Sequence, residues 1–169
     1  MRCAGHTEKP ERIDTRRRSL WAAGAAGLLP AWGLARATTG GADGVLVEVW
    51  KSPSCGCCKD WIKHIEASGF RTRVVDSGNT AMRERMGIAM KYGSCHTALV
   101  GGYALEGHVP AREIQLLLKE QPAAIGLAVP GMPVGSPGMD GPEYGARKDP
   151  YDVLLLKKDG SAIAFQTYR

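Results

Sequence analysis

The sequence predicts an α/β domain with a central mixed sheet, flanking helices and a long Gly/Pro-rich loop before a C-terminal hairpin. Three observations carry that prediction. A valine-rich run, "GVLVEVW" at 44–50, breaks at Lys51-Ser52-Pro53 and gives way at once to apolar residues at helical spacing. A second strand-then-helix pair follows over 70–88, as expected when strands and helices alternate in an α/β fold. Two hairpin signals, Gly101-Gly102 and Asp159-Gly160, then supply antiparallel strands.

Each element has its own local reason. The first strand, 44–50, is followed by a helix from about Cys57 to Ser68, with Trp61, Ile62 and Ile65 on one face and Gly69 as its stop. "FRTRVVD" reads as a strand and "TAMRERMGI" as a short helix. "HTALVGGYALEG" is a strand and its hairpin partner. "PAREIQLLLKEQ" opens with Pro110 at a first helical position and sets Ile114, Leu117 and Leu118 along one face. From Gln121 to Pro150 the chain is rich in Gly and Pro without periodicity, and is expected to be a long ordered loop or lid. A last hairpin, "DVLLLKKDGSAIAFQTY", closes the chain. Strand, helix, strand, helix, hairpin, helix is the order of a thioredoxin-like domain. Such folds carry their chemistry on a Cys-x-x-Cys that opens the first helix, here Cys55 and Cys58. The sequence departs from the redoxin pattern in one place: His96 precedes Thr97 where redoxins hold a cis-proline. In that alignment Cys95 and His96 lie across from the first-helix cysteines.

Ahead of the domain, residues 1–37 have the order of an export signal: Arg16, Arg17 and Arg18, an apolar run from Leu20 to about Leu34, then Ala35-Arg36-Ala37. The apolar run is short, and broken by Gly and Pro30, for a membrane span, which takes about 20 apolar residues; an uncleaved membrane anchor is the alternative. The paired arginines resemble a twin-arginine signal, which carries folded proteins across a bacterial inner membrane. The expected division is 1–37 as signal, cleaved near Ala37, and 38–169 as one thioredoxin-like metal-binding domain in the periplasm.

The whole chain carries a net charge of +5. Residues 1–37 hold seven of the 22 Lys and Arg and three of the 17 Asp and Glu, which leaves 15 bases and 14 acids in the remainder. The basic balance therefore belongs to the signal, and the domain offers no electrostatic footprint for nucleic acid. No Ser/His/Asp set, carboxylate pair or phosphate-binding glycine loop stands out. Chemistry concentrates instead in the cysteines. "KSPSCGCCKDW" places Cys55, Cys57 and Cys58 within four positions, and Cys95 follows in "YGSCHTALV".

The segments "SPSCGCCKDWIKHIEASGF", "SCHTALVGGYALEGHVPAREI", "GLAVPGMPVGSPGM" and "PYDVLL" resemble the CopG-type periplasmic copper-binding proteins of bacterial copper-resistance clusters. The likeness runs from about Val45 to Tyr168. It implies a thioredoxin-like domain that binds several copper ions through thiolates, with a role in copper redox interconversion. Position by position, the ligands it implies are Cys55, Cys57, Cys58 and Cys95, then His96.

The residue chemistry points the same way and leaves alternatives. Three thiolates at the start of a helix are favoured by its free N–H groups but repel one another. Protonation, disulfide formation or soft cations relieve the repulsion. Cuprous ion is the softest common candidate, and thiolates can bridge two such ions. The expectation is a periplasmic protein that sequesters Cu(I), more than one ion, exchanging it with other copper-handling proteins there. The alternative is a thiol–disulfide oxidoreductase that attacks with Cys55 and resolves with Cys58. Structural zinc on Cys55, Cys58, Cys95 and His96, and a purely structural pair of disulfides, are the remaining readings.

Other metal-friendly residues are expected to do less. His108 ends a strand and is expected as a surface or hydrogen-bonded histidine, with a turn towards the site face as the alternative, and His64 lies too far along the helix to share an ion with Cys57. Met132 and Met139 sit where a thioether either reaches a soft ion or simply packs. Met82, Met86 and Met90 are expected as a core stripe, and Trp50 and Trp61 as the dry wall of the site.

Overall fold

Alternation along the first strand decides which side of the sheet becomes the core. In the computed structural model, which describes residues 44–169, β1 (Leu46–Lys51) buries Val47, Val49 and Lys51 and turns Leu46, Glu48 and Trp50 to the other face. The export segment expected at 1–37 lies outside the described residues. α1 (Gly56–Ala67) lays Cys58, Trp61, Ile62 and Ile65 against the valine side, and Gly69, at φ 93°, stops it as expected. β2 (Arg71–Val75) returns parallel to β1, followed by the short α2 (Thr80–Arg85).

β3 (His96–Val100) and β4 (Tyr103–Glu106) form the hairpin across Gly101-Gly102, with β3 antiparallel to β1. α3 (Ala111–Glu120) then crosses over to β5 (Gly126–Ala128), which runs parallel to β4. β6 (Tyr151–Leu156) and β7 (Ala162–Tyr168) complete a seven-stranded mixed sheet in the order β2-β1-β3-β4-β5-β6-β7. The main core, with Val47, Val49, Trp61, Ile65, Ile114 and Leu117, lies between the sheet and the helices α1 and α3. No helix among the described residues is long and apolar enough to cross a membrane.

Four expectations are corrected. The 121–150 segment is not all loop: β5 lies within it, only three residues long and made a strand by pairing with β4 and β6. Pro110 caps α3 one position before its first helical residue. The methionines form no core stripe, because α2 ends at Arg85: Met86 is its C-cap and Met90 is exposed. Trp50 does not wall the cysteine site, because it shares the opposite face with Met82, Met86 and Leu99.

Candidate metal centre

Sulfur collects where α1 begins. Cys55 is the helix N-cap, its backbone extended at φ −71° and ψ 103°, and no side-chain hydrogen bond caps the first turn. Gly56, Cys57 and Cys58 fill that turn, whose N–H groups have no intrahelical acceptor. Cys55 and Cys58 are joined in a disulfide, while Cys57 and Cys95 are free thiols. The Cys57 Sγ stands 3.6 Å from Cys55 Sγ and 3.9 Å from Cys95 Sγ. All four sulfurs lie within 4.8 Å of one another.

Imidazole closes the other side. Antiparallel register sets His96 opposite Lys51 on the core face, where the ring packs on Trp61 with centroids 4.3 Å apart. Its Nδ1 lies 3.5 Å from Cys95 Sγ, and its buried Nε2 has no hydrogen-bond partner. His108, on the turn after β4, donates from Nδ1 to the Pro137 carbonyl at 2.7 Å. That bond fixes the tautomer and turns the Nε2 lone pair to Cys95 Sγ, 3.1 Å away, whose thiol donates to it. A backbone carbonyl holding the far nitrogen is the usual support for a metal-binding histidine.

Burial sets the charge states. Desolvation, with His108 as the next cause, holds His96 well below the ordinary imidazole range. Desolvation also lowers His108, against the opposing pull of the Pro137 carbonyl and Asp140. Both rings are therefore neutral at pH 7, the form that binds metal. Burial first, and then the neighbouring Cys57, pushes the Cys95 thiol up to about 12.

A buried ionic network holds the segment that carries Cys95 and His96. Glu106 accepts from the Ser94 backbone N–H at 2.6 Å, from Thr97 Oγ1 at 2.6 Å and from Arg83 Nε at 2.8 Å. Arg83 also donates to the Ser94 carbonyl, as does Asn79. Three charge-assisted bonds to one carboxylate fix the strand entrance from below the sheet. On the helix side, the 131–141 loop packs on the first turn of α1 at Gly138 (φ 84°), where a Cβ would stand 2.6 Å from Cys57 O and from Trp61 N. Only glycine fits that approach.

The spacing suits a soft ion. With metal–sulfur bonds of about 2.3 Å, an ion held by the 3.6 Å sulfur pair subtends about 103°, and one held by the 3.9 Å pair about 116°. With a metal–nitrogen bond of about 2.0 Å, Cys95 with His108 gives about 92°, and Cys95 with His96 Nδ1 about 109°. The His108 Nε2, its far nitrogen held by the Pro137 carbonyl, fits the same use.

All five residues singled out from sequence meet here: Cys55, Cys57, Cys58 and Cys95 form one group, and His96 joins it through Cys95. His64 stays apart, accepting the Ala111 N–H at 3.1 Å. The two-disulfide framework is not formed, since Cys57 and Cys95 are free. Sequence reasoning undervalued His108, which groups with Cys95 and His96; the signal was its place in "LEGHVP", right after a strand that pairs with β3. Met139 accepts a hydrogen bond from the Tyr144 hydroxyl at 3.4 Å, and Met132 is exposed.

Comparison with known proteins follows the same line. A family described as "Protein of unknown function, DUF411" matches residues 92–139, the span from just before Cys95 to Met139. No curated protein matches the chain. Two solved structures of copper resistance protein CopG, form 2 and form 1, are each 44% identical to this chain and cover 75% of it. The chain covers 100% and 98% of theirs, with TM-scores of 0.69 and 0.68. With that identity over the full length of the solved chain, the protein belongs to the CopG copper-resistance family.

Proposed function

We propose that this protein sequesters Cu(I), more than one ion per chain, in a cluster bridged by Cys55, Cys57, Cys58 and Cys95 and bounded by His96 and His108. The observation that carries this reading is the convergence of four sulfurs within 4.8 Å, from two segments far apart in sequence. Thiolate sulfur selects Cu(I) over harder ions, and Cys57 sits close enough to both Cys55 and Cys95 to bridge. Kinship with copper resistance protein CopG points to the same metal. The work belongs in the periplasm, following the signal read at residues 1–37, and serves copper resistance by keeping cuprous ion bound and by cycling it between oxidation states.

The Cys55–Cys58 disulfide bears directly on this function. Two electrons and two protons, from a dithiol donor, convert it to two thiols before those sulfurs can bind metal. The same bond favours the second reading, a thiol–disulfide oxidoreductase. Cys57, only 3.6 Å from Cys55, is a third sulfur in the pair's immediate reach and offers a competing exchange partner.

An anaerobic Cu(I) titration against a chromophoric competitor separates the two. Fully reduced protein is expected to take more than one Cu(I) per chain, and protein with the disulfide closed to take less. Reduced protein that retains no copper, yet exchanges its disulfide rapidly with a dithiol, would overturn the cluster in favour of the oxidoreductase.

A further inference from the structure

Two thioethers stand in solvent beside the sulfur cluster. Of the large apolar side chains left exposed among the described residues, Val45, Leu46, Val74 and Ile163 are aliphatic, while Met90 and Met132 are 67% and 51% exposed. Only the two methionines carry a donor atom. Both line one open cleft of about 390 Å³, and Cys95 lines it with them.

The cleft is held in place from several directions. The chain segments that carry the methionines are tied by Gly131 N–H to Gly93 O at 3.1 Å and by the Ser94 hydroxyl to Gly131 O. Arg83 Nη1 lies 3.7 Å from the Met90 sulfur, and its charge is met by Glu106, so the wall presents no unpaired cation. Apolar packing does not explain two exposed methionines here, because neither is buried in a core. A thioether is soft, uncharged and carries no proton to displace, so it takes up a cuprous ion weakly and releases it readily. A thiolate next to it binds the same ion more strongly.

We propose that Met90 and Met132 form a thioether loading site for a single Cu(I) ion, which passes from them to Cys95 at the edge of the cluster. The proposal rests on the reading of the four cysteines as a copper site. Copper stays cuprous throughout. One copper–thioether bond breaks as the bond to Cys95 forms, and the thiol proton leaves to water.

The test is kinetic. In the full chain, reduced, the double variant Met90→Leu/Met132→Leu keeps apolar volume at two exposed positions and removes both donors. Transfer of Cu(I) from its bicinchoninate complex, followed by loss of colour, is expected to slow at least about tenfold, equivalent to about 1.4 kcal/mol in the barrier. The final copper content is expected to equal that of the unaltered protein. An unaltered rate with full copper content overturns the loading site and leaves the cluster standing; an unaltered protein that binds no copper overturns both.

A second measurement does not need the cluster. In the variant Cys55→Ser/Cys57→Ser/Cys58→Ser, Ag(I) serves as a redox-silent substitute and the methionine methyls are labelled with ¹³C. Addition of Ag(I) is expected to shift the Met90 and Met132 signals and leave Met82, Met86 and Met139 in place. No shift at Met90 and Met132 rejects the loading site.

Discussion

Replacement of Cys57 by Ser tests the cluster at the sulfur on which its continuity depends. Cys57 is the vertex of two short edges, 3.6 Å to Cys55 and 3.9 Å to Cys95. Without it, Cys95 keeps the two imidazoles, 3.1 Å and 3.5 Å away, and Cys55 and Cys58 stay within 4.8 Å of it. The set loses both of its short non-covalent sulfur edges. Any ion that used Cys57 loses a direct ligand, which costs at least the 10- to 100-fold seen when even an outer-shell partner is lost, about 1.4–2.8 kcal/mol. Folding is expected to be almost untouched, within about 0.5 kcal/mol, because Cys57 is only half-buried and Ser is nearly the same size. The assay is copper per chain by mass spectrometry after anaerobic loading and desalting, with the urea midpoint as the folding control. Thiol titration of the oxidised protein supplies a second control: one free thiol fewer after the change than before it. Copper should fall by half or more at an unchanged urea midpoint. Full copper retention in the variant would refute the bridging role and with it the cluster.

The remaining predictions concern the supports of the site and its delivery. Glu106→Ala leaves Arg83 buried without its carboxylate and frees the Ser94 N–H and Thr97 hydroxyl, so unfolding free energy should drop by about 3–5 kcal/mol in urea; a drop under about 1 kcal/mol would show the network is not holding the strand entrance. His96 is held below its ordinary value by burial, so below about pH 6.5 the unfolded chain binds a proton that the folded chain refuses. Metal-free protein should therefore lose stability as pH falls from 6.5, by about 1.4 kcal/mol per pH unit while His96 stays neutral, and His96→Gln should show a shallower loss; equal slopes would contradict the assignment. Arg16→Lys/Arg17→Lys should block export, since a twin-arginine receptor reads the pair itself, and a processed periplasmic variant on fractionation would reject that route.

What could be read from the sequence followed how local its cause was. α1 was legible because Trp61, Ile62 and Ile65 repeat at helical spacing and Gly69 ends them within the same stretch. The cysteine group was legible because three of its members are neighbours and the fourth precedes a strand that pairs with β1. β5 was not, since Gly126, Leu127 and Ala128 have no periodicity of their own and become a strand only between β4 and β6. The place of His108 was obscured for a similar reason: its tautomer is set by the carbonyl of Pro137, 29 residues away. Proximity along the chain puts Trp50 next to the cysteines, but strand alternation turns it to the other face while Lys51 and Val49 turn inward. The methionine spacing looked helical across a point where the helix had already ended.

The two sides of the site respond differently to oxidation, and that difference makes a last prediction. Closing the Cys55–Cys58 bond removes two sulfurs from the donor set but leaves Cys57, Cys95, His96 and His108. The imidazoles are positioned by β3 and by the turn after β4, not by the helix turn that carries the disulfide. Oxidation therefore should not empty the site. Cys95, His96 and His108 offer three ligand atoms within 4.8 Å of one another, enough to hold one ion with a fourth position open, so the oxidised protein should still hold one metal ion. Reduction should add further copper without displacing that ion. Anaerobic loading of the same preparation before and after a dithiol reductant, with absorption by the sulfur–copper bonds followed alongside, reads both numbers. Oxidised protein that holds no metal at all would mean that His96 and His108 only shape the cavity, and that the sulfurs alone make up the site.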